Sequence, residues 1–238
     1  MTSKLFAASC ALGLVAATVP AQAQEGDGQI EFEIDDGRVV PSEDFAVMVS
    51  VLGAAITSSG DDIPVTAQVH LGDTTLEPWG PYGSPTNGDV NDHGPVRHYI
   101  VDEVFDADDG INITVSGRSW VKKRRWYSGV YDSHWRTHLS ANSHDEGWQV
   151  KVLRDGDDAP EIDGFENQQD AEEFVGAYID YDTGKMTMDQ NQAIYLFEIG
   201  TTNVGSSAAD FQDLVVLVTL GEAPEDFYEG TEPQSLYD

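Results

Sequence analysis

Apolar side chains recur at every second position over much of this chain. Gln29 to Ile34 alternates apolar and acidic residues, and Ile63 to Leu71 and Arg97 to Val104 keep the same period. In Ile111 to Val121 the period sets Ile111, Ile113, Val115 and Gly117 on one face, and Trp148 to Leu153 repeats it. A period of two belongs to a strand with one face buried, because successive side chains leave a pleated backbone on opposite sides. Ala46 to Leu52 reads as a buried strand, and Ala193 to Ile199 and Asp213 to Leu220 are nearly continuous apolar runs. Continuous runs of this kind predict central strands, covered on both faces. Gly, Asp, Asn and Pro interrupt the runs at short intervals, which suits strands joined by turns. The pattern predicts a mainly β chain, an antiparallel β-sandwich built as one large or two small β units.

One segment departs from this period. Asp170 is placed to cap a helix, Glu173 completes a capping-box spacing, and Phe174, Val175, Tyr178 and Ile179 then share a face. One short helix is therefore expected near 170–179, packed on a sheet or closing one end of the sandwich. No internal repeat is evident. The basic and aromatic stretch at 122–146 interrupts the strand rhythm and suggests a boundary between a β region at 24–125 and a second at 126–220. An acidic, flexible tail is expected at 221–238.

The first 23 residues read as a secretory signal peptide of bacterial type. Lys4 is followed by an apolar run from Leu5 to Val19, then Pro20 and the small-residue pattern Ala21-Gln22-Ala23. The run is shorter than the roughly 20 apolar residues of a bilayer crossing. Cleavage after Ala23 would remove Cys10, the only cysteine, and with it any disulfide, thiolate metal site or cysteine nucleophile. The expected product is secreted or periplasmic, with no membrane insertion after cleavage. The many acidic residues also argue against a membrane barrel.

Charge sharpens this picture. Loss of Lys4 leaves 43 acidic and 11 basic side chains, a formal charge of −32. Such a chain repels nucleic acid and anionic membrane, so neither is expected as a partner. Six of those 11 cations, Arg118, Lys122, Lys123, Arg124, Arg125 and Arg136, fall within 19 residues, interleaved with Trp120, Trp126, Tyr127, Tyr131 and Trp135. A basic and aromatic strip on an acidic protein suits an anionic polysaccharide, or an acidic patch on another surface protein or a neighbouring copy. A solvated hairpin balancing nearby carboxylates is the plainer alternative. The candidate ligand-binding residues are Trp120, Arg124, Arg125, Trp126, Tyr131 and Trp135.

Oxygen-bearing residues at alternate positions suggest Ca²⁺, a hard cation with oxygen ligands. Asn87, Asp89 and Asn91 form one such run, although Asp92 and His98 stand where a calcium loop carries Gly and Glu. Asp106 and Asp108 open a second run. Ordinary polar turns explain both equally. His134 and His138 would share a metal on a helix, but on a strand they stand about 13 Å apart. No nucleophile elbow, phosphate loop or dinucleotide fingerprint is present, so no catalytic residue is assigned.

Tyr195-Leu196-Phe197-Glu198, followed by Ala209-Asp210-Phe211-Gln212-Asp213-Leu214-Val215-Val216, resembles an uncharacterised β domain of exported bacterial surface proteins. That domain's pattern is an apolar strand ending in Phe-Glu, a variable turn, then Asp-Phe-Asn-Asp-Leu-Val; Gln212 replaces the Asn. The resemblance covers residues 193–220. If these strands pair antiparallel, Glu198, Asp210 and Asp213 converge at one end of the sheet. Crowded carboxylates need a cation, Ca²⁺ being the candidate, or a cluster of backbone N–H donors. The leading expectation is an exported, non-catalytic β-sandwich that acts by binding, in a cell-surface, matrix or adhesive role. A secreted hydrolase acting on polysaccharide or peptide and a structural subunit of an extracellular assembly are the alternatives.

Overall fold

Two antiparallel sheets face one another, and the alternation in the sequence decides which side chains lie between them. The computed structural model describes residues 30–58, 61–85, 88–91, 94–127, 130–145, 147–159, 174–206 and 208–228, with backbone alone at 58, 61, 125–127 and 130–132. The expected signal peptide, Asn87 and residues 170–173 lie outside the described residues.

The first sheet has the order β1 (Phe32–Asp35), β2 (Arg38–Pro41), β9 (Ile113–Tyr127), β6 (Val65–Leu71), β7 (Thr74–Leu76), and β10 (Val130–Asn142) pairs with β9. The second has the order β11 (Val150–Arg154), β14 (Gln192–Phe197), β15 (Leu214–Gly221), β3 (Ala46–Gly53), β8 (Arg97–Ile100). Two short pairs, β4 (Thr57–Ser58) with β5 (Asp61–Asp62) and β12 (Ile179–Asp180) with β13 (Lys185–Met186), complete the described strands. The expected boundary at 122–146 falls on the β9–β10 hairpin. Strands from both sides of it share the second sheet, since β3 lies between β15 and β8.

The core between the sheets takes alternate residues. Val47, Val49 and Val51 from β3, Tyr195 and Phe197 from β14, and Val216, Val218 and Leu220 from β15 meet Val65, Val69, Ile113 and Val115. Their intervening neighbours Ile194, Leu196, Val215 and Leu217 are buried as well, in a second cluster on the far face of the same sheet. That cluster is covered by Val175, Ile179 and Met186 and by the ring of Phe211. This cover explains why β14 and β15 read as continuous apolar runs. It includes the described part of the expected helix, Phe174 and Val175 in α geometry and Gly176–Tyr178 in 3-10 geometry. Gly117 lies on the inward face of β9, where a Cβ would stand 2.9 Å from Leu214 and 3.2 Å from Phe197. Within the expected tail, Pro224–Phe227 forms a 3-10 turn, and Phe227 is buried against Gly221.

Candidate functional site

The connection from β14 to β15 is long and begins and ends in carboxylates. Phe197 pairs with Leu214, so the next residues out, Glu198 and Asp213, face each other at the end of the strand pair. Asp210 approaches from within the connection. One oxygen of each of the three lies within 4.8 Å of the others. All three residues are buried, at 0%, 5% and 3% exposure for Glu198, Asp210 and Asp213.

Backbone amides surround this charge. Glu198 Oε1 accepts from the N–H of Gly200 at 3.0 Å and of Thr201 at 2.9 Å, and Oε2 accepts from Asp210 at 3.0 Å and Phe211 at 3.4 Å. Asp213 Oδ2 accepts from Ile199 and Gly200, each at 2.6 Å. The chain thus wraps its own N–H groups onto the carboxylates, and the loop closes around them. Burial, and then the neighbouring charge of Glu198, push the Asp213 carboxyl well above the usual carboxylate range, and a side-chain hydrogen bond to Glu198 acts in the same direction. A proton held on Asp213 and donated to Glu198 is the physical consequence, as for any two crowded carboxylates. Phe211 takes a left-handed backbone, φ +59°, which is rare for a bulky residue. Its N–H contact to Glu198 and its ring, edge-on to Trp148 at 6.0 Å and under Lys151 Nζ at 4.1 Å, hold it there.

The stretch Ile199–Gly200, fixed from one side by Asp213, is held from the other side by the β9–β10 hairpin. Ser119 Oγ donates to the Ile199 carbonyl at 2.6 Å and accepts from the Leu139 N–H at 3.3 Å. His138 Nε2–H donates to the Gly200 carbonyl at 3.0 Å. Leu139 lies where the β9–β10 register shifts between Thr137 and Ser140. A bulge of this kind turns a strand pair away from its sheet. The last β6–β9 pair is Val65 with Ser119, whereas β9 and β10 remain paired as far as Tyr127 with Val130.

Beyond Ser119 the hairpin is therefore a two-stranded ribbon mounted on the carboxylate loop. Lys122, Lys123, Arg124 and Arg136 are exposed on it. Lys122 is opposite Trp135, with its Nζ 5.5 Å from the ring centroid, and Trp135 is 39% exposed. Arg125 is opposite Asp132, and Trp126 is opposite Tyr131. Trp120 lies at the ribbon's base and is buried, its Nε1 donating to Thr66 Oγ1 at 3.2 Å.

The other sequence candidates are placed apart from this cluster. Asp89 Oδ1 accepts from the N–H of Val65 and of Asn91, and Asn91 Nδ2 donates to the carbonyls of Ile56 and Ile63. Asp106 caps the 3-10 turn Ala107–Asp109 through the N–H of Asp108, whose own side chain is exposed. His134 and His138 are both exposed on β10. Ser119 was not among the sequence candidates. It continues the inward series Ile113, Val115, Gly117, and a hydroxyl at such a position signals a buried partner.

No family model, curated protein or solved structure matches this chain.

Proposed function

We propose that this is an exported protein that acts by binding rather than catalysis, and that the β9–β10 ribbon is its binding element for an acidic extracellular partner, in a matrix or adhesive role. The observation that carries this reading is the continued pairing of β9 with β10 past the last β6–β9 pair, with Lys122, Lys123, Arg124 and Arg136 exposed on that extension. From Val121 to Tyr127 the ribbon runs for about 20 Å at strand rise. The Debye length at physiological salt is about 8 Å, so the outer cations are screened from the acidic body. A chain of formal charge −31 thereby presents a local cationic surface, with Trp135 beside it. The signal-peptide pattern and the resemblance of residues 193–220 to exported surface domains support an extracellular setting.

Retention on an immobilised carboxylated polysaccharide such as polygalacturonate, against a neutral one, tests the reading. The protein is expected to be held on the acidic matrix alone, and K122E/K123E/R124E is expected to pass through while melting normally. Equal retention of that variant would remove the ribbon from the binding role.

Calcium in the carboxylate cluster is a second reading. It has in its favour the gathering of three carboxylate oxygens within 4.8 Å. The amide contacts to Glu198 and Asp213 favour closure by the chain itself.

A further inference from the structure

The ribbon leaves one end of the sandwich, and the opposite end is acidic. Ser119 bonds to Ile199, next to the end where Phe197 pairs with Leu214 and Val215 with Gly53, so the ribbon's base belongs to that end. The other end of the same sheet is marked by the Ala46–Gly221 pair. Strand β3 between them has eight residues, about 25 Å at strand rise. Three segments meet at this far end. Glu43 and Asp44 precede β3, residues 102–109 follow β8, and residues 222–226 follow β15. The first two are tied together by the Phe45–Phe105 bridge, whose rings stack at 5.2 Å, and by the Ala107 N–H donating to Asp44 Oδ1 at 2.9 Å. Glu43, Asp44, Asp102, Glu103, Asp106 and Asp226 are all exposed there.

We infer that the partner of the ribbon is a second copy of this chain, whose acidic end receives it. The inference rests on the ribbon being the binding element and names what it binds. Two complementary surfaces on opposite ends of one molecule make a head-to-tail contact, which repeats instead of closing on itself as a twofold dimer does. The ribbon's reach of about 20 Å, more than two Debye lengths, keeps two acidic bodies apart while the opposite charges meet. The product is a linear assembly favoured by low salt and high protein concentration.

Sedimentation velocity over a range of protein concentrations, at about 50 mM and 500 mM NaCl, reads this directly. A series of species beyond the dimer is expected at low salt, dispersing to monomer at high salt. K122Q/K123Q/R124Q loses the ribbon charge, and D102N/E103Q/D106N loses the acidic end. Each alone should need a roughly tenfold or higher concentration to associate. Mixed together, the second variant's ribbon still finds the first variant's acidic end, so the mixture should give a one-to-one dimer that grows no further. A protein that stays monomeric at every concentration and salt, or a mixture with no dimer, would overturn the inference. A monomer that still binds polygalacturonate through its ribbon would overturn self-assembly alone. Loss of neither property on ribbon neutralisation would overturn the ribbon reading as well.

Discussion

Glu198 and Asp213 are both buried carboxylates, yet their environments ask different things of them. Glu198 accepts four amide N–H groups, two on each carboxyl oxygen. Glu198→Gln puts an NH₂ against donors, and a loss of about 2–4 kcal/mol is expected in chemical denaturation. Asp213 accepts two N–H groups on Oδ2 and, held protonated, donates to Glu198. Asparagine offers the same acceptor and donor, so Asp213→Asn should change stability by less than about 1 kcal/mol below about pH 4 and should become the more stable chain as pH rises. The pH dependence follows from the direction of the shift. Asp213 has a raised folded pKa, so the folded state holds the proton over a range in which the unfolded chain releases it. Its contribution is fully present below about pH 4, the unfolded value, and is lost as pH rises through the folded pKa. Melting followed against pH should show this decline in the native chain and a flatter profile in Asp213→Asn. An unchanged slope would mean that Asp213 ionises freely. The convergence of these carboxylates was legible in the sequence because Phe197-Glu198 and Asp213-Leu214 flank two apolar runs. The amide partners were not legible, since backbone donors in a long connection carry no side-chain signal.

At the scale of the element, the strands with a buried face were the readable ones. β3, β6, β14 and β15 follow the apolar runs closely, because burial between the sheets imposes the period. β10 falls in the stretch that interrupts the strand rhythm of the sequence. From Ser133 to Ser140 it carries His134, Arg136 and His138 on a stretch largely exposed to water, so no buried face imposes an apolar period there. The helix expected at 170–179 gives way after Val175 to a 3-10 turn and then to β12, as the chain covers the outer face of β14 and β15. Gly117 marks how closely β9 approaches the other sheet. Gly117→Val should destabilise by about 1–3 kcal/mol, because its branches must enter space held by Leu214 and Phe197. A melting temperature equal to that of the native chain would show a looser core than the contacts indicate.

At the scale of the molecule, one continuous set of contacts links the buried cluster to the exposed ribbon. Carboxylates fix Ile199 and Gly200, those carbonyls hold Ser119 and His138, and the ribbon leaves from there. Closure by amides alone predicts that millimolar Ca²⁺ and EDTA give the same melting temperature. A rise with Ca²⁺ would mean that the ion binds the folded state and completes the cluster. The measurement that bears most directly on the ribbon as a binding element is calorimetric titration with soluble polygalacturonate over a series of NaCl concentrations. The logarithm of the affinity should fall linearly with the logarithm of salt. The slope should shrink stepwise as Lys122, Lys123 and Arg124 are each replaced by Ala, since every cation removed releases one counterion fewer. An affinity indifferent to salt, or a slope unchanged by those substitutions, would contradict it.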